Sequence, residues 1–229
     1  MKIIAFPFAG GSSFSYVKLS RILPAGISMI TLDTPGHGGR IGEPLVADVD
    51  GMARDLAPRV ISQATQSPYM LFGHSLGAYL ALAVLDRILE LEGPIPTCLV
   101  LSGAAPPQRH QINKKSTLPR EQFFQKIFAI GGMPAEFLAE SSLLDLFEPL
   151  LRSDFEAAES YTNARRRTHT VPVRILRGTE DTVTSKAAGS WDACFASKPD
   201  VIDFPGSHFF LFERAEAVVA AIASTEYPA

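Results

Sequence analysis

The chain has 229 residues, of which 46% are apolar and 20% charged, and its formal net charge is −3. Such a composition excludes intrinsic disorder and the basic footprint of a nucleic-acid binder, and the length suits a single domain with a sizeable core. Two cysteines, Cys98 and Cys194, are too few for a disulfide framework or a metal cluster, so a reducing compartment is expected.

Ile3 to Phe8 reads as a first strand. The opening stretch is too short, and too soon broken by Pro7, for a signal peptide, and no later apolar run approaches a membrane span. The expectation is a cytoplasmic protein without membrane contact. The turn Ala9-Gly10-Gly11 follows. Ser28 to Asp33 predicts a second strand, with Asp33 as a capping group at its end, and leads into the loop Pro35-Gly36-His37-Gly38-Gly39. Met52 to Gln66 has helical spacing interrupted by Pro58, which predicts a kink or a late start because proline removes a ladder hydrogen bond. Met70 to Gly73 and Cys98 to Ser102 predict strands on either side of a long apolar helix, Leu76 to Leu91.

There the alternation stops. Ala104 to Thr170 offers no strand, only amphipathic pieces at Arg120 to Ile130 and Ala135 to Tyr161, and it is too long for a plain connection. Phe123, Phe124, Ile127 and Phe128, then Phe137, Leu138, Leu143 and Leu144, recur at three-to-four spacing and predict a helical insertion capping the sheet. As a group they are candidates to line an apolar channel; for any single one, extra core is the ordinary role. Arg165-Arg166-Arg167 reads as a solvated turn. Val173 to Arg177 and Val201 to Phe204 predict further strands, with helices at Lys186 to Phe195 and Ala215 to Ala223. The whole pattern implies one domain over residues 1–229, a mainly parallel doubly wound α/β sheet with helices on both faces and an insertion at about 104–170.

The sharpest local signal is Gly73-His74-Ser75-Leu76-Gly77, set directly after one predicted strand and directly before a helix. Glycines two residues either side of the serine let backbones approach without a Cβ, so that a strained turn lifts the Ser75 hydroxyl above the sheet. The motif in this context resembles the nucleophile turn of the α/β-hydrolase fold. A serine hydroxyl needs a base, and the base needs an acid that fixes its tautomer. His208 is the last of five histidines and follows the strand Val201 to Phe204 through Pro205-Gly206-Ser207, where the base of this fold belongs. For His37, His74, His110 and His169 a structural role is expected. Asp181 follows the strand Val173 to Arg177 at the end where catalytic groups collect, with Glu180 the adjacent rival and Asp203, within a strand, a more distant one. Two backbone donors are needed for the oxyanion: Leu76, after the nucleophile, and Ala9 in the loop after the first strand, with Phe8 the neighbouring alternative.

Several stretches together resemble the type II, or editing, thioesterases of polyketide and nonribosomal peptide biosynthesis. They are Phe6-Pro7-Phe8-Ala9-Gly10-Gly11, Pro35 to Arg40 with Glu43-Pro44, Gly73 to Gly77, Leu101 to Pro106, Gly131-Gly132-Met133-Pro134, Leu151-Arg152-Ser153-Asp154-Phe155, Gly178 to Asp181 and Gly206 to Phe210. The serine motif is shared with lipases and esterases at large; the Gly-Gly-x-Pro and Leu-Arg-x-Asp-Phe segments are more specific. The chain departs from the family pattern in its short stretch before the first strand and in His37, where arginine is more usual. The resemblance implies the triad Ser75, Asp181 and His208, and an insertion acting as a helical lid. It implies a substrate acyl group on the phosphopantetheine arm of an acyl or peptidyl carrier protein. Phe8, Met133, Phe137 and Phe209 are the candidates for contact with that acyl group. No cofactor or metal is expected, and the protein is expected to act as a monomer. Two other functions fit the same residues less fully: a general carboxylesterase or short-chain lipase, and a non-catalytic module that binds carrier proteins.

Overall fold

A computed structural model describes residues 1–64, 67–107, 114–132, 140–162, 168–185 and 191–224. Among the described residues six strands form one sheet: β1 (Lys2–Phe6), β2 (Ser28–Thr31), β3 (Tyr69–His74), β4 (Cys98–Ser102), β5 (Val173–Gly178) and β6 (Asp200–Phe204). All neighbours are parallel, in the order β2-β1-β3-β4-β5-β6, and the register sets Phe6 beside Gly73 and His74 beside Ser102. Successive side chains of a strand point to opposite faces, and here both faces are covered, so the central strands are apolar without alternation. Ile4, Phe6, Leu71, Leu99 and Ile175 belong to one core layer; Ile3, Ala5, Met70, Phe72, Val100 and Leu176 belong to the other.

The helices are α1 (Val17–Ser20), α2 (Val49–Ala64), α3 (Leu76–Glu90), α4 (Arg120–Ile130), α5 (Ser141–Ser160), α6 (Thr182–Ser185), α7 (Phe210–Glu213) and α8 (Ala215–Ala223). On the first face α3 packs between α2 and α5 and is buried nearly all round, which is why its sequence is apolar without an obvious polar stripe. On the second face Leu19 of α1 meets Val218, Val219 and Ile222 of α8. Among the described residues no helix is long and apolar enough to cross a membrane.

The structure departs from the sequence reading at α2. This helix begins at Val49, three residues before the predicted start, because the Asp48 carboxylate accepts the Gly51 N–H at 2.5 Å and caps the first turn. Pro58 neither breaks it nor delays it. It lies on the exposed side, where water serves the carbonyl that loses its ladder partner. The predicted helix over Lys186 to Phe195 is represented by a 3-10 turn at Trp191–Cys194, residues 186–190 lying outside the described residues.

Between β4 and β5 stand α4 and α5, with a cluster of their own in which Phe123, Phe124, Ile127 and Leu151 are buried. Arg152, a basic residue of this insertion, is committed inside it: its guanidinium donates to the Ser116 and Leu118 carbonyls at 2.7 and 2.9 Å and lies 4.3 Å from the Phe123 ring centroid. His110, Met133, Phe137 and Arg165 to Arg167 lie outside the described residues.

Candidate active site

Ser75 sits between β3 and α3 with φ 56° and ψ −117°, a conformation strained for any residue with a Cβ. Close packing forces it. A Cβ on Gly77 would lie 2.1 Å from the Phe6 carbonyl oxygen, so the start of α3 rests directly on the end of β1. The Ser75 N–H donates to the Ser102 carbonyl at 2.8 Å, which ties the turn to β4.

The acid and the histidine arrive on adjacent loops that are stitched together. The Thr179 N–H donates to the Phe204 carbonyl at 2.9 Å and the Glu180 N–H to the Gly206 carbonyl at 3.0 Å. A Cβ on Gly178 would meet the Ser207 carbonyl at 2.4 Å. Between the two loops His208 Nδ1 lies 3.0 Å from Asp181 Oδ2, with Asp181 fully buried and His208 nearly so. The other Asp181 oxygen accepts the Val183 N–H at 2.8 Å. Burial alone would raise the Asp181 pKa, but the His208 hydrogen bond and charge, the Val183 N–H and the Thr184 hydroxyl together hold it below the ordinary carboxylate value. Glu180 is exposed. Asp203 is paired with Arg177 at 2.8 Å, and Asp33 accepts the N–H groups of Ser13 and Gly39 at 2.5 and 2.9 Å.

His74 is a neighbour that the sequence reading treats only as structural. Its ring centroid lies 4.8 Å from that of His208, and its Nδ1 is 2.9 Å from Ser102 Oγ. Complete burial, then the nearby charge of His208, hold it well below the usual imidazole range, so it is neutral. A neutral ring supports His208 without repelling an imidazolium there.

Phe8, Ala9, Ser75, His208 and Phe209 line one pocket. Asp181 stands behind His208, and Leu76 begins α3, where first-turn N–H groups have no partner within the helix. In the loop after β1 the N–H groups of Gly10, Gly11, Ser12 and Ser13 donate to Asp154, Phe8, Ser15 and Asp33. Those of Phe8 and Ala9 have no partner among the described residues. Phe209 lies edge-on to Phe8, ring centroids 5.0 Å apart.

The pocket also holds Ile127, one of the insertion residues expected to line an apolar channel, together with residues not foreseen. Ile127 and Ile130 of α4 and Phe155 of α5 form apolar wall, while Tyr79 lies one helical turn beyond Ser75 on the same side of α3, a spacing visible in the sequence. Glu159, buried at the end of α5, lines it too and accepts the Lys115 and Ser116 N–H groups at 2.7 and 3.1 Å. No local motif marks that residue.

Residues 1–225 match the family model of the thioesterase domain. Over 229 residues, its whole length, the chain is 30% identical to the probable cadicidin biosynthesis thioesterase of Streptomyces griseus, of which it spans 63%. It superposes on ClbQ from the colibactin NRPS/PKS pathway with a TM-score of 0.88 and 30% identity, over 97% of this chain and 95% of that one. With the type II thioesterase BorB from the borrelidin biosynthetic cluster the TM-score is 0.85 and the identity 27%, over 97% and 91%. The shared architecture is that of the α/β-hydrolases.

Proposed function

The chain belongs to the thioesterase family, and from that membership we propose that it hydrolyses acyl groups from the phosphopantetheine arm of acyl or peptidyl carrier proteins. Its work is the editing or release of chains in polyketide or nonribosomal peptide biosynthesis. The observation that carries the catalytic part of this reading is the placement of His208. Its Nδ1 is engaged by Asp181, while the ring opens onto the same pocket as Ser75.

In this mechanism His208 takes the Ser75 proton as Oγ attacks the thioester carbonyl. The Ala9 and Leu76 N–H groups receive the oxyanion. The phosphopantetheine thiolate leaves with the proton held by His208. Water, deprotonated in turn by His208, attacks the acyl-Ser75 ester, and collapse frees the acid and returns the proton to Ser75. Asp181 keeps its charge throughout, holds the Nδ1–H tautomer and stabilises the imidazolium. Phe8, Phe209 and the apolar wall of α4 and α5 embrace the acyl chain, and the insertion covers it as a lid. Two buried cysteines without a disulfide suit work in the cytoplasm.

A fluorophosphonate tests the assignment of the nucleophile. One adduct per chain, mapped to Ser75 and lost in Ser75→Ala, is expected. An adduct on another serine, or none in active protein, contradicts it.

A further inference from the structure

The turn that carries Ala9 is held from a distance. The Gly11 N–H donates to the Phe8 carbonyl at 2.8 Å, closing a β-turn over Phe8 to Gly11 in which Gly10 has φ +77°. That angle belongs to the third position of a type II turn, which differs from type I by a flip of the central peptide. The central peptide here is Ala9–Gly10, and its N–H donates to Asp154 Oδ2 at 2.7 Å, 144 residues away on α5. The same oxygen lies 2.9 Å from His37 Nε2, and the far side of that ring meets Thr34 Oγ1 at 2.9 Å and the Pro35 carbonyl at 3.0 Å. Asp154 and His37 are both almost fully buried. One turn earlier on α5, Leu151 seals the contact, its Cδ2 only 2.7 Å from where a Gly10 Cβ would stand.

A flip of the central peptide would turn the Ala9 carbonyl toward the Asp154 carboxylate, so this carboxylate selects one form of the turn. The other flanking peptide is set by the Phe8–Gly11 bond. Because a trans peptide is planar, a fixed Phe8 carbonyl also fixes the direction of the Ala9 N–H. We propose that Asp154 and His37 are positioning residues for the oxyanion hole: the carboxylate, oriented by His37, locks the Phe8–Gly11 turn so that the Ala9 N–H faces the pocket. As Asp154 lies on the insertion, the seating of α5 and the geometry of the hole are coupled. This rests on the assignment of Ser75 and Ala9 made above.

The test compares two ligands with the same acyl chain. A trifluoromethyl ketone forms a tetrahedral adduct with Ser75 and requires the oxyanion hole, whereas a thioether without the carbonyl does not. Asp154→Ala should weaken ketone binding and lower kcat by about 10- to 100-fold, less than or comparable to deletion of a hole donor. Thioether binding and KM should stay within about threefold, as expected of a group that acts only on the transition state. Asp154→Asn, whose carbonyl oxygen can accept from Gly10, should recover most of the loss, and His37→Gln should fall between. Should Asp154→Ala fail to fold, His37→Gln carries the same comparison, with Asp154→Asn as the control that stays near wild type. Equal weakening of both ligands, or no weakening of the ketone, overturns the inference. A wild-type protein that forms no adduct on Ser75 would instead overturn the assignment of the nucleophile.

Discussion

Gly73 and Gly77 touch across the serine turn: a Cβ on Gly73 would lie 1.9 Å from the Gly77 carbonyl oxygen. Since the obstacle is backbone, no side-chain rotation relieves it. Gly73→Ala and Gly77→Ala should each destabilise the fold by at least about 3 kcal/mol, beyond ordinary overpacking. Thermal unfolding checks this. A Tm within about 3 °C of wild type, for a chain of this size, would mean that the elbow is looser than its geometry indicates.

Asp181→Asn should cost more than its shape suggests. The asparagine carbonyl can still accept the Val183 N–H, but its amide would then donate to His208 Nδ1 and leave the proton on Nε2, the wrong nitrogen for a base toward Ser75. The expected loss in kcat is about 10⁴-fold, by analogy with serine proteases, with Tm little changed. Glu180→Gln should retain activity within about twofold, since its side chain is exposed. The reverse outcome would move the acid to Glu180.

His37 predicts a pH dependence. Burial opposes its charge, but the Asp154 hydrogen bond and charge, the Pro35 carbonyl and the charge of Asp33 outweigh burial and raise its pKa above the ordinary 6.5. A raised folded value means that protonation favours the fold. The stabilisation is complete below pH 6.5, the unfolded value, and disappears as pH rises through the higher folded value. The stability advantage of wild type over His37→Gln, measured by urea unfolding, should therefore be largest below pH 6.5 and shrink as pH rises above it. A constant or growing advantage would show that the pair is neutral.

The insertion should exchange its amides faster than the sheet. The buried residues of α4 and α5 cluster largely with one another, whereas every residue of β3 is buried between two hydrogen-bonded strands. Hydrogen exchange should be measurably quicker over 120–130 and 141–160 than over 69–74. Uniform protection would contradict a lid.

Much of the fold was legible because its signals are local. Cys98 to Ser102 and Arg120 to Ile130 begin and end where periodicity puts them, and Gly73 and Gly77 announce a backbone contact. The position after the strand Val173 to Arg177 singles out the Glu180-Asp181 pair, and Asp181 is the member that meets His208. What the sequence concealed is long-range. Asp154 stands in the Leu-Arg-x-Asp-Phe segment that carries part of the family resemblance, but nothing near it points to Gly10 or His37. His74 reads as the variable residue of a motif, and only the pairing of β3 with β4, together with the return of the chain at His208, gives it partners. Pro58 misled because its effect depends on which side of the helix meets water.

The most direct measurement is kcat/KM for one acyl group presented on a holo-carrier protein, on coenzyme A and as a nitrophenyl ester, at one salt concentration. A carrier docks far from the reacting carbonyl, and binding energy of that kind can hold the thioester in attack geometry over Ser75. The highest kcat/KM is expected on the carrier protein. Equal values on all three, or fastest turnover of the nitrophenyl ester, would contradict it and make the protein a general esterase.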